Sequence, residues 1–297
     1  MKVALCFIIS YDHILNKEHI WRKWIEFNKD IINVYFFYKD ITKIRSNWIL
    51  ERVLPEKCII KTTYVNVIPA YISLLSYASE HDPQNKWFCF LTDSCCPIVS
   101  PRRFRYLFFE NYNKTIMSWK KAWWNPHFHK RANLALLPEN LRLAHDPWFI
   151  LKREDIPYII QYIQSNPKAT KTICDGGIAN ESLFAIILSI CNQLKNVVSS
   201  VTHITDWSRM TSSTSPHVFK EANERDIQFI ESELKERNFR MFIRKVAPEF
   251  PDHILEHYIY EKFKEEDDKL VFHSWFNNFY FYIFIFIFAI FSTLFIK

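Results

Sequence analysis

A chain of 297 residues with 49% apolar side chains has enough material for one large domain or two small ones. Its net charge of +6 is spread along the chain rather than gathered in a tract, which argues against a nucleic-acid partner. Its two glycines, Gly176 and Gly177, are adjacent, which excludes both a G-x-G-x-x-G dinucleotide fingerprint and a Walker A loop, so any nucleotide must be held by side chains and ordinary loop amides.

Val3–Ile9 is a continuous apolar run and reads as a strand buried on both faces. His19–Asn28 places Ile20, Trp21, Trp24, Ile25 and Phe27 at helical spacing. Val34–Tyr38 is a second strand, Cys58–Thr63 a third, and Pro69–His81 a helix with proline at its start. Lys86–Leu91 is a fourth strand, ending in the polar turn Thr92-Asp93-Ser94. This alternation predicts an α/β fold, a single domain with a mostly parallel central sheet flanked by helices. Ligands of such sheets bind beyond the carboxyl ends of the strands, which directs attention to Thr92–Pro97. Further on, Glu154–Gln164, Glu181–Cys191 and Asp226–Arg237 read as helices, and Met241–Ile243 as a short strand leading into Arg244-Lys245.

From Pro251 the chain becomes increasingly charged and reads as a stalk over 251–275. Phe279–Ile296 is 18 residues without a charge, near the lower bound for a spanning helix, with Trp275, Tyr280 and Tyr282 at one interface and Lys297 at the far end. The organisation expected is therefore one α/β domain over 1–250, a stalk over 251–275 and a transmembrane anchor over 276–297. The first strand is too short for a span and lacks a cleavage site, so the expected topology is a tail anchor with a cytosolic domain; a luminal orientation stays open. The sequons at Asn113 and Asn180 bear on this, because a glycan on Asn180 would sit beside Glu181.

Seven cysteines without a C-x-x-C pair read as small buried hydrophobes in a reducing compartment, and no zinc site is expected. Four segments put polar residues at the edges of apolar runs: Phe88–Ile98, Cys174–Phe184, Ile204–Phe219 and Met241–Phe250. Together they supply a carboxylate, an Arg-Lys pair and a polar turn, the parts needed to move a sugar from a nucleotide diphosphate to a hydroxyl. A strict D-x-D is absent, and Glu265–Asp268 reads as a solvated charge run. A leaving diphosphate must then be neutralised by cations, a task that suits Arg244 and Lys245. Taken alone, Glu181 reads first as a helix N-terminal charge and the Arg-Lys pair as a surface dipeptide. Adjacent strand residues face opposite sides, which favours Lys245 over Arg244. Asp93, Ser94 and Cys95 read equally as turn residues. Trp148 suits stacking on a sugar ring or filling the core. Asp175 is placed to orient the Glu181 loop, with Gly176-Gly177 permitting positive φ there.

At these residues the chain resembles the core-2/I-branching β-1,6-N-acetylglucosaminyltransferase family, which also contains peptide O-xylosyltransferases, and it looks closest to the plant-type members. The segments that carry the resemblance, in order, are FLTDSCCPI, PRRFRYLFF, PWFILKR, Asn180-Glu181-Ser182-Leu183, Asp206-Trp207-Ser208-Arg209 with Phe219, and Phe242–Glu249, spanning about residues 1–250. Two places depart from the family pattern: Gly176-Gly177, and Pro216-His217, where the family has H-P. The resemblance implies a GT-A-like fold and an inverting, metal-independent transfer. It implies Glu181 as general base, with Lys245, Arg244, Arg209, Asp93, Ser94 and Cys95 on the donor and Trp148 and Asp175 on the acceptor side. The implied donor is UDP-N-acetylglucosamine, then UDP-xylose, with a glycan or protein hydroxyl as acceptor and no cofactor. The alternative is an inactive membrane protein of the same fold that binds glycans or nucleotide sugars.

Overall fold

The computed structural model describes residues 1–270, apart from Tyr11, Tyr64, Trp123, Pro126, 128–132, Ser213 and Arg237. The strands in chain order are β1 (Lys2–Ile8), β2 (Ile32–Phe37), β3 (Asn85–Thr92), β4 (Cys96–Pro97), β5 (Trp119–Lys121), β6 (Leu143–His145), β7 (Ile150–Lys152), β8 (His203–Ile204) and β9 (Phe242–Ile243). The main sheet has the order β2-β1-β3-β7. β1 runs parallel to both β2 and β3, and β7 closes the sheet antiparallel to β3.

The alternation along β1 and β3 explains why both read as unbroken apolar runs. Val3, Leu5 and Phe7 join Trp87, Cys89 and Leu91 in one core layer, while Ala4 and Cys6 join Phe88 and Phe90 in the other. Successive side chains of a strand point to opposite faces, so a strand covered on both faces has no polar position. Helices Glu18–Glu26 and Pro101–Asn111 cover the first face through Ile20, Trp21, Trp24, Phe104 and Phe108. Helices Ile68–His81 and Leu183–Ile190 cover the second through Tyr71, Leu74, Leu75 and Phe184. The fold is thus mixed α/β with three layers.

A second sheet, β4-β9-β8, has β9 antiparallel to β4 and parallel to β8. It brings the turn after β3 beside the segments that follow β8 and β9, although these lie more than a hundred residues apart in the chain. A third, two-stranded sheet pairs β5 with β6.

Three expectations need correction. Residues 58–63 form no strand: Glu56–Cys58 is a 3-10 turn, and the free edge of β2 is already taken, because the Phe36 N–H donates to the Arg52 carbonyl at 3.0 Å and the Phe36 carbonyl accepts from the Leu54 N–H at 2.9 Å. The charged stretch from residue 251 is not a stalk up to residue 270. It folds as helix Asp252–Glu256, a wider turn His257–Glu261 and a helical run over 264–270, with Leu255, Tyr258 and Ile259 buried in the core. The domain therefore extends past residue 250. Neither glycine adopts positive φ, so the Gly176-Gly177 loop does not use the freedom expected of it. The expected anchor over 276–297 lies outside the described residues; among those described, no helix is long and apolar enough to cross a membrane.

Candidate active site

A cavity of about 820 Å³ opens at the carboxyl ends of β1 and β3. β1 delivers Ser10 to it and β3 delivers Thr92, Asp93 and Ser94. The two strand ends are stitched together: Asp93 Oδ2 accepts from the Ser10 backbone N–H at 2.8 Å, and the Asn16 N–H donates to the Asp93 carbonyl at 2.8 Å.

Arg244 and Lys245 follow directly on β9, and both line the cavity. The Arg244 backbone N–H donates to the Ile204 carbonyl at 2.9 Å, and Val246 N–H donates to the Ser94 carbonyl at 2.9 Å, so the second sheet fixes this segment against the β3 turn. The Arg244 guanidinium donates to the hydroxyls of Thr92 and Ser94, the latter at 2.6 Å. It lies over the Trp148 ring, 4.5 Å from the centroid, a cation–π contact. Its Nε is buried without a hydrogen-bond partner. The Lys245 ammonium donates to Ser215 Oγ at 2.6 Å. Burial pushes the Lys245 pKa down, the Arg244 charge pushes the same way, and Asp93 opposes them.

Glu181 ends the 3-10 turn Ala179–Glu181, just before helix Leu183–Ile190, and lines the same cavity as the two cations. The buried Tyr71 hydroxyl, which donates to the Pro147 carbonyl at 2.9 Å, belongs to a residue that lines the same cavity. Burial raises its pKa, a hydrogen bond with Asn180 and the Arg244 cation lower it, and the Glu181 carboxylate raises it, so both charges act on one phenol.

Residues 27–231 match the family described as Core-2/I-Branching enzyme. The chain belongs to this family. It is a glycosyltransferase, and the family takes a sugar from a nucleotide-sugar donor to a glycan acceptor. No curated protein matches it in sequence. Among solved structures, it is similar to the crystal structure of a glycosyltransferase involved in the glycosylation of the major capsid of PBCV-1, with 9% identity and a TM-score of 0.35 over 87% of this chain and 99% of that one.

Not every residue expected in the site of this transferase is found there. Arg209 does not line the cavity. Its guanidinium is held by Asp206 and by Asp226, the latter at 2.7 Å, and both carboxylates are buried. Two buried carboxylates without a cation are costly, and Arg209 answers that need. Burial alone would raise the Asp206 pKa, but hydrogen bonds from Ser208 and Arg209 outweigh it and hold the carboxyl below its usual range. Asp175 pairs with Lys171 at 2.7 Å, four residues back on an exposed helix end, away from the cavity. Cys95 is fully buried beneath the turn, where its sulfur accepts from the Thr92 N–H at 3.4 Å. Trp148 does line the cavity, but Arg244 covers its ring and His203 packs beside it at 5.7 Å. It therefore serves as a platform for the cation.

The sequence reading missed Asp146, which follows β6 and lines the cavity. Burial pushes its carboxyl up to about 6, against the opposing effects of Lys120 and Ser118. Next to it, burial pushes His145 down to about 4, and its Nδ1 lies 2.7 Å from the Asp146 carbonyl oxygen. The signal was present in His145-Asp146-Pro147-Trp148, an acid at a strand end, but the motif read there begins one residue later. Tyr71 was missed because it sits on a helix face that reads simply as core. Among the described residues no three His, Cys, Asp or Glu side chains are grouped to hold a metal ion.

Proposed function

We propose that this transferase moves a sugar from a UDP-sugar, N-acetylglucosamine before xylose, to a hydroxyl of a glycan or protein, with inversion and without a metal ion. The reading rests on one observation: a carboxylate, Glu181, and a cation pair, Arg244-Lys245, line one cavity at the strand ends.

In the transfer, the acceptor oxygen attacks the anomeric carbon from the face opposite the nucleotide. The bond from that carbon to the diphosphate oxygen breaks, and negative charge grows on the leaving UDP. Arg244 and Lys245 oppose that charge: the guanidinium forks onto phosphate oxygens and the ammonium acts as a point charge. Both are fixed before the ligand arrives, by Ser94 and Trp148 for Arg244 and by Ser215 for Lys245. The acceptor hydroxyl loses its proton as it attacks, and Glu181 takes it. Asp146 supports a second reading of that step, because a carboxyl near pKa 6 is mostly ionised at neutral pH yet more basic than an ordinary carboxylate. The apolar run 279–296 completes the reading as a membrane anchor.

Separate Glu181→Gln and Asp146→Asn variants test the base. The true base variant loses on the order of 10²–10⁴-fold in kcat with little change in donor KM. If Asp146 is the base, the acid limb of the wild-type rate profile lies near pH 6 and vanishes in Asp146→Asn. Full activity in both variants removes the base role from Glu181 and Asp146.

A further inference from the structure

The helical segment after residue 251 runs alongside helix Glu18–Glu26 in the same direction. The Lys17 ammonium pairs with Asp252 at 2.7 Å, Lys23 with Glu256 at 2.7 Å, and the Phe27 ring packs against Tyr260 with centroids 6.0 Å apart. One end of this pair of helices is the cleft, because Asn16 lines the cavity and its side-chain amide donates to the Val246 carbonyl at 2.8 Å. The other end is the amino end of the sheet, since the chain passes from Phe27 directly into β2. A helical rise of about 1.5 Å per residue puts roughly 15 Å between residues 17 and 27.

Residues 95–101 descend along the same helix. The Trp21 indole N–H donates to the Cys95 carbonyl at 3.0 Å, that of Trp24 to the Val99 carbonyl at 2.8 Å, and the Asn28 amide to the Pro101 carbonyl at 2.8 Å. Ser100 is thus at the amino end of the sheet, and it holds the end of the described chain there. Its hydroxyl donates to the buried Asp267 carboxylate at 2.6 Å, and Arg102 pairs with Asp268. The chain therefore reaches Leu270 at the end of the domain opposite the cleft. Eight residues, 271–278, separate it from the apolar run, a reach of at most about 28 Å. The same end exposes Phe27, 64% accessible, and Phe109, 38% accessible; the Arg105 guanidinium lies over the Phe109 ring at 5.3 Å and forks onto the Asp30 carboxylate at 2.8 and 2.9 Å, just before β2, so its charge is met within the protein. Exposed aromatic rings suit the boundary of a bilayer.

We propose that this end, with Phe27 and Phe109, rests against the anchoring bilayer, and that the cleft opens on the far side. The acceptor is then a glycan-bearing molecule presented from the aqueous phase, not a lipid of the anchoring membrane. This rests on the anchor reading of residues 279–296. The test uses the full chain in phosphatidylcholine–phosphatidylserine nanodiscs, with hydroxyl-radical oxidation of each residue compared with the same chain in detergent. Met210, 55% exposed, and Trp207, 43% exposed, mark the cleft rim. Their oxidation is expected to be unchanged, while that of Phe27 and Phe109 falls several-fold. Protection of Met210 and Trp207, or equal oxidation of Phe27 and Phe109 in both settings, overturns the orientation and leaves the anchor standing. A chain that does not co-float with vesicles of the same lipids overturns both.

Discussion

Arg209 and Arg244 both sit near the cleft, each beside polar partners, yet they are arranged for different work. Arg209 meets two buried carboxylates, Asp206 and Asp226, so its charge is spent inside the protein and pins the loop that carries Trp207 and Ser215. Arg244 meets the hydroxyls of Thr92 and Ser94 and the face of Trp148, none of which carries a charge. Neutral partners orient a guanidinium without neutralising it, so its charge remains available for an anionic ligand. The partner, more than the cation, separates a structural arginine from a binding one.

The largest expected effects break this contrast directly. Arg244→Leu is expected to lower kcat/KM by on the order of 10²–10³-fold, the cost of removing one preorganised contact to a developing oxyanion, with its melting temperature little changed. Lys245→Met follows with a smaller loss. Arg209→Met is expected to do the reverse: breaking a buried ion cluster costs roughly 3–5 kcal/mol of stability, read by denaturant titration, while UDP affinity per folded molecule falls far less than in Arg244→Leu. Equal losses of UDP affinity in Arg209→Met and Arg244→Leu would erase the distinction.

A second contrast lies between neighbours. Burial favours the neutral form of both His145 and Asp146, but the pH consequences have opposite sign. His145 is held near pKa 4 against about 6.5 when unfolded, so the unfolded chain binds more protons between those values and stability falls as pH drops from 6.5 to 4, by on the order of 3 kcal/mol in full. Asp146 is held near 6 against about 3.9 unfolded, so the folded chain binds more protons there, and stability falls as pH rises from 4 to 6. The two nearly cancel in the native chain. Asp146→Asn removes one side, and its urea midpoint is expected to fall on acidification through that window more steeply than that of the native chain. Parallel curves for the two proteins would mean that the Asp146 carboxyl is not raised in the folded chain.

The Lys17 clamp sharpens the comparison in another way, since this cation is more buried than Arg209 yet serves mainly carbonyl oxygens. It donates to the carbonyls of Pro248 and Phe250 and to Asp252, just past the Arg244-Lys245 pair. Lys17→Met leaves the Pro248 and Phe250 carbonyls without this donor, while His19 still holds Asp252, and is expected to cost about 1–3 kcal/mol. UDP affinity should weaken as well, because the clamped segment continues into Val246, which Asn16 holds. Loss of stability with unchanged UDP affinity would confine Lys17 to a structural role.

How much of this was legible follows from the range of each interaction. β1 and β3 were readable because a strand buried on both faces has only apolar positions, and helix Ile68–His81 because proline marks its start. Glu181 and Arg244-Lys245 sit at the edges of apolar runs, but taken alone they read as ordinary charges, and it was the resemblance that singled them out; the structure brings all three to one cavity. Arg209 was misread because its second partner, Asp226, lies 17 residues away on another element, and no local pattern records that pairing. The same blindness hid the docking of 251–270, where Leu255, Tyr258 and Ile259 keep helical spacing on one face but the charges on the other dominate the composition. Asp146 was hidden because its chemistry comes from burial, and burial is decided by β5, β6 and the loops around them.

The smallest expected effect concerns the loop beside Glu181. Gly176-Gly177 reads as a backbone that needs left-handed angles, and with such angles any side chain there would be strained. Neither glycine has them. A Cβ added at Gly177 meets only the Val65 side chain, at 4.0 Å, an ordinary van der Waals contact. Gly177→Ala is therefore expected to be neutral or to stabilise by about 0.4–1 kcal/mol, through the unfolded chain's lost freedom, with kcat unchanged. A fall in kcat without a fall in stability would show that the loop must pass through another conformation during turnover. Its departure from the family pattern would then bear on the reaction as well as on the fold.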